Sequence, residues 1–169
     1  MNMNISIKFF SLLFWILLSC STVSAQFSPT TSETKEEVKI QEDSLGRRNP
    51  RGTINGFLKA VSEQNYNRAS QYLYLKRSLR KSKDKERIVR LMQNLLDQSG
   101  TIIPSSLISN KDIGNLDDGL EPELELVGIV KINDKDVELY LENNEKAGAP
   151  PIWLFSEETV GAIASVKLE

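Results

Sequence analysis

"LELVGIVKINDKDVELYLEN", from Leu124 to Asn143, decides the fold class of this chain. Two β-rich runs flank Asn133–Asp134, residue types that tolerate the left-handed backbone of a tight hairpin turn. The stretch therefore predicts one antiparallel hairpin. Downstream, "GAPPIWLFSEETV" (Gly148–Val160) reads as a loop ending at Pro150–Pro151, a short third strand over Ile152–Phe155, and a helix from Ser156. Glu157 and Glu158 fall in the first turn of that helix, where carboxylates complement its dipole.

Upstream the periodicity is helical. Asn49 suits an N-cap and Pro50 a first helical position. Ile54, Phe57, Leu58 and Val61 follow at i, i+3, i+4, i+7, so all four are expected on one buried face. Gly52 and Gly56 weaken that helix by up to about 1 kcal/mol each, which suggests a neighbour in close approach. Asn65 is expected to cap a second helix with Tyr66, Ala69, Ser70 and Leu73 inward, the two packing as an antiparallel hairpin. A third helix carries Ile88, Leu91, Met92, Leu95 and Leu96 on one stripe and stops at Gly100. The stretches "TIIPSSLIS" (Thr101–Ser109) and "NKDIGNLDDGLEPE" (Asn110–Glu123) read as loops, with Asp117–Gly119 a turn. The expected architecture is α+β: a helical hairpin plus a third amphipathic helix, packed with a small sheet made of the hairpin and a short third strand.

The chain has 169 residues, about one domain. Its start is expected to be an address rather than fold. Lys8, the apolar run Phe9–Leu18 and the small-residue end Val23–Ala25 form the pattern of a secretory signal peptide over residues 1–25. That run is shorter than the roughly 20 residues a membrane span needs. Cys20 leaves an alternative open, lipoprotein processing with acylation at Cys20, which would tether the product. Residues 26–43 are polar and Ser/Thr/Glu/Lys-rich, and are expected to stay disordered. A single globular domain is expected over 44–165.

Composition excludes several chemistries. The sequence has no histidine and no cysteine besides Cys20, so a Ser/His/Asp triad, a Cys/His pair and a His/Cys zinc site are ruled out. No disulfide can staple the domain. The net charge of −2 becomes −3 once Lys8 leaves, and requires neither nucleic acid nor an anionic membrane as partner. The basic stretch Lys76–Arg90 reads as a solvated face rather than a lipid-facing patch, since Asp84 and Glu86 interrupt it and no aromatic residue interleaves.

No catalytic, cofactor or metal residues are assigned. The acidic loop, Asp117–Asp118 and Glu121–Glu125, matches no calcium loop. Arg47, Arg48 and Arg51 are expected to pin a neighbouring loop, with the acidic segment as their partner; anion recognition is the alternative. Trp153 and Phe155 are expected to pack on the helical hairpin rather than line an apolar pocket. The motif residues are thus Arg47, Pro50, Arg51, Gly52, Phe57, Trp153 and Phe155.

Three separated stretches carry a resemblance: "DSLGRRNPRGTINGFLKAVSEQNYNRASQYL" (43–73), "NLDDGLEPELELVGIV" (115–130) and "PPIWLFSEETVGAI" (150–163). In this order they resemble the extracytoplasmic domain that precedes the membrane part in some bacterial proteins of the small-conductance mechanosensitive channel family. The likeness covers Asp43 to Ile163 and includes no pore or gate, since the channel module has no counterpart here. It implies a non-enzymatic exported domain on the periplasmic side of the cytoplasmic membrane, modulating or assembling a channel. The implied partner is a membrane-embedded channel module or an envelope protein. Membrane contact would come through that partner, a missing C-terminal part or acylated Cys20. The alternative is a free or lipid-anchored periplasmic module binding an apolar ligand or envelope component.

Overall fold

The computed structural model describes residues 42–146 and 149–166, which belong to one compact unit, Lys39–Glu169. The expected signal peptide, Cys20 and nearly all of the expected linker lie outside the described residues. Among the described residues, four α-helices and a four-stranded antiparallel sheet make up the fold, in the order α1 Pro50–Ser62, α2 Tyr66–Ala69, α3 Ser82–Ser99, β1 Thr101–Ile102, β2 Leu124–Ile132, β3 Lys135–Lys146, β4 Ala149–Phe155 and α4 Glu157–Ala164. The strands are hydrogen-bonded in chain order and the sheet curls into a half-barrel. Among the described residues no helix is long and apolar enough to cross a membrane.

The helix starts follow local chemistry. The Asn49 side chain accepts the Gly52 amide at 2.8 Å, the Asn65 side chain accepts that of Arg68 at 3.0 Å, and the Ser156 hydroxyl accepts that of Thr159 at 3.1 Å. Each bond satisfies one of the amides that a helix start leaves unpaired. The β2–β3 turn is equally local: Asn133 and Asp134 take φ of 51° and 61°, as a two-residue hairpin loop requires.

The architecture differs from a helical hairpin with a three-stranded sheet in three places. The expected second helix is a single turn, α2, continued by a 3-10 turn over Ser70–Tyr72. There the chain is drawn into sheet pairing instead: Leu73 bridges Phe155 in parallel, and the Tyr74 amide donates to the Phe155 carbonyl at 2.9 Å. A strand absent from the sequence reading, β1, pairs Thr101 with Ile129 and Ile102 with Gly128. Gly128 permits that approach, because a Cβ on it would sit 2.6 Å from the Thr101 carbonyl oxygen. Finally, β4 spans seven residues and includes both prolines. Proline lacks the amide that an edge ladder would offer, so Pro150 and Pro151 blunt an exposed sheet edge.

Bulges supply the curl. One lies between Leu126 and Gly128 on β2, the other between Asn144 and Lys146 on β3. The first changes which side chains face inward. Glu125 and Val127 are buried before it, and Gly128 and Val130 after it.

The core lies between the helices and the concave sheet. Phe57 packs edge-on against Phe155 at 4.9 Å and Tyr72 at 6.5 Å, and Tyr72 donates its hydroxyl to the Leu45 carbonyl. Gly56 makes room for Tyr72, since a Cβ there would lie 2.7 Å from the ring's Cζ. Ile54, Phe57 and Val61 face inward as their spacing predicts, but Leu58 is 37% exposed at the rim of that face. On α3, Ile88, Leu91 and Met92 are buried, while Leu95 and Leu96 are only partly so.

Candidate functional site

Of the residues singled out from the sequence, Arg47, Arg51, Phe57, Trp153 and Phe155 meet in one internal assembly. The Arg47 guanidinium binds Asp43 through two nitrogens, at 3.1 and 2.8 Å, and donates to the Gln71 carbonyl at 2.8 Å. The side-chain bond from Arg47 leads the causes that hold the Asp43 carboxyl below its ordinary value. Arg48 donates to the Pro151 carbonyl at 3.1 Å. Arg51 donates to the carbonyls of Ile108 and Ser106, at 3.0 and 3.2 Å. The partners of Arg48 and Arg51 are therefore backbone carbonyls rather than the acidic loop. Pro50 is buried in the first turn of α1, and a Cβ on Gly52 would collide with the Gly46 carbonyl.

Trp153 is the centre of the assembly. Its amide donates to the Arg47 carbonyl at 2.8 Å, its carbonyl accepts the Thr53 hydroxyl at 3.2 Å, and its indole N–H donates to the Asp112 carbonyl at 2.8 Å. Gly114, at φ +77°, lies beneath the ring, where a Cβ would come 2.7 Å from Cη2. Trp153 and Phe155 are fully buried.

The acidic segment separates into two parts. Asp117 and Asp118 are exposed in a turn, with the Asp118 carboxylate accepting the Leu120 amide at 3.0 Å. Glu125 is 3% exposed, and its two oxygens accept the amides of Ser109 at 2.7 Å and Asn115 at 2.9 Å. Sequence pattern misses it, because strict alternation along "LELV" points a glutamate outward. No group of acidic residues among those described is arranged to hold a metal ion.

The convex side of β3 and the start of α4 form an open groove of about 760 Å³. Glu138, Tyr140 and Glu142 come from β3, Glu157 and Glu158 from α4, and Lys76 from the loop before α3. Lys76 bridges Glu157 at 2.7 Å, which raises the lysine's pKa. The Tyr140 hydroxyl donates to Glu138 at 2.5 Å. That bond, then burial and the negative charges of Glu138 and Glu158, push the phenol from its ordinary 10.0 up to about 12. Tyr140 thus keeps its proton in the folded state while an unfolded tyrosine would ionise. Its contribution to stability is present below pH 10 and is lost as the pH rises towards 12. Glu138→Gln is expected to lower the ionisation midpoint of Tyr140, read by ultraviolet difference absorbance; an unchanged midpoint would refute the assignment to Glu138.

The groove holds charge and hydrogen-bonding capacity. A scan against protein-family models, a search of curated proteins and a search of solved structures each return no match to this chain.

Proposed function

We propose that this protein is a non-enzymatic, exported domain of the bacterial cell envelope that associates with a mechanosensitive channel, assembling it or biasing its opening. One observation carries the reading. The stretches that resemble the channel-associated domain are far apart in the chain, yet the first and last are joined directly in the fold. The Arg47 carbonyl, the Thr53 hydroxyl and Arg48 all bond the Pro151–Trp153 backbone, and the indole of Trp153 reaches Asp112, close to the middle stretch. The first and last motif stretches therefore belong to one structural unit. The polar side chains of that unit are spent on internal bonds, and the charged groove and helix faces remain for partners.

Such a domain can shift a channel only if it binds the open and closed states with different affinity. The test has two arms. Export is read by fractionating bacteria that express the full chain, and retention in the cytosol refutes the reading. Channel association is read as the tension threshold of the co-expressed channel in membrane patches, with and without the chain. A shift with co-purification is expected, and neither effect would sink the proposal.

A further inference from the structure

The cationic side chains of the basic run Lys76–Arg90 lie outside the core and the motif assembly. It forms a 3-10 turn, Arg77–Leu79, and the first turns of α3. Lys76 is paired with Glu157, and Arg90 with Glu86 at 2.8 Å, with its guanidinium over the Tyr66 ring. Arg77, Arg80, Lys81, Lys83, Lys85 and Arg87 have no ion pair among the described residues. Asp84 is the one other carboxylate in the run.

This crowding opposes folding. The N-cap position of α3 is Lys81 and offers no side-chain cap, and Lys83 stands at i, i+4 from Arg87. Cations at the positive end of a helix dipole, and like charges one turn apart, both destabilise a helix. The other three helices begin on Asn49, Asn65 and Ser156, each with its capping bond, and α4 adds two glutamates. α3 carries one first-turn carboxylate, Asp84, among its cations but breaks the side-chain capping rule that the other three helices obey, and such a departure marks a place selected for something other than stability.

Against the solvated role expected from its sequence, we propose that the Arg77–Arg87 segment, with the N-terminal end of α3, docks on an anionic lipid surface. Beside it lies an open groove of about 270 Å³ in which Arg80 and Lys85 stand with Ser70, Gln71 and Asn144, a setting for one headgroup phosphate. Residues 42–90 carry thirteen lysines and arginines against five carboxylates, and residues 91–166 carry four against fourteen. The near-neutral total therefore hides a charge that is segregated along the chain. The proposal goes beyond the reading above, and purified protein tests it without reference to export or to a channel.

The full chain is floated with vesicles of phosphatidylcholine alone and with vesicles of equal parts phosphatidylcholine and phosphatidylglycerol. Preferential binding to the anionic vesicles, lost at raised salt, is expected; any contribution of the apolar leader is common to both. The quadruple variant Arg77→Gln, Lys81→Gln, Lys83→Gln, Lys85→Gln, which spares the bond from Arg80 to the Leu75 carbonyl, should weaken anionic-vesicle binding by about a hundredfold or more. Its thermal midpoint should stay level or rise, because the dipole and crowding penalties are removed. Equal binding to both vesicles, a variant that keeps the preference, or a variant with a lowered midpoint would each overturn the proposal. So would tighter binding to a single-stranded oligonucleotide than to the anionic vesicles.

Discussion

Trp153→Ala is expected to cost about 4 kcal/mol, the largest single loss in the domain, read as a shift in the urea midpoint at unchanged slope. The indole is fully buried, so truncation leaves a cavity between β4, α1 and the loop over Gly114. It also leaves the Asp112 carbonyl without its 2.8 Å donor. The main-chain bonds from Trp153 to Arg47 and Thr53 do not need the side chain, so the N-terminal turn should remain docked. The loop 103–123 should instead loosen, with faster amide exchange at Gly114 and Asn115 than at Thr53. Trp153→Phe refines the expectation. Phenylalanine keeps most of the apolar area and loses only the indole bond, so it should cost much less than alanine. Equal losses for the two variants would mean that the hydrogen bond, and not packing, dominates the site.

Glu125→Ala is expected to cost about 3 kcal/mol, although most exposed carboxylate truncations change stability by less than about 0.5 kcal/mol. The buried carboxylate makes charge-assisted bonds to the Ser109 and Asn115 amides, and its removal strands both donors beneath the loop. Glu123→Ala, two residues away and exposed, is the control and should be nearly neutral. Glu125→Gln should fall between them, because an amide side chain presents one acceptor and one donor to two N–H groups. A Glu125→Ala variant as stable as the control would show that water replaces the carboxylate without penalty.

Both residues hold the same loop and meet beside Gly114. Trp153 reaches it from β4 and Glu125 from β2, while Arg51 reaches its first half from α1. The long connection between β1 and β2 is therefore fixed by side chains that bond its backbone, the task that ladder bonds perform in the strands. Aromatic content made Trp153 visible in the sequence. Nothing local distinguishes Glu125 from Glu121 or Glu123, since its burial depends on the strand bulge beside it.

Local signals were sufficient where one short segment contains both donor and acceptor. Asn49 with Pro50, Asn65, Ser156 with its two glutamates, and the Asn133–Asp134 turn each satisfy their own backbone within a few residues, and each is readable in the chain. The absence of histidine likewise excludes whole classes of chemistry without any coordinates. Features set by distant partners were not readable. α2 stops after one turn because Leu73 and Tyr74 find Phe155, about eighty residues on. β1 exists because Gly128 lets two residues after α3 reach the sheet. The bulge beside Val127 reverses strand parity, and because side chains alternate with a period of two, that one added residue turns Glu125 inward. Residue types settle which segments can be helix, strand or turn, since those preferences act over a few bonds. Which face of each segment is buried, and where each arginine ends, is settled only when remote segments compete for the same carbonyls.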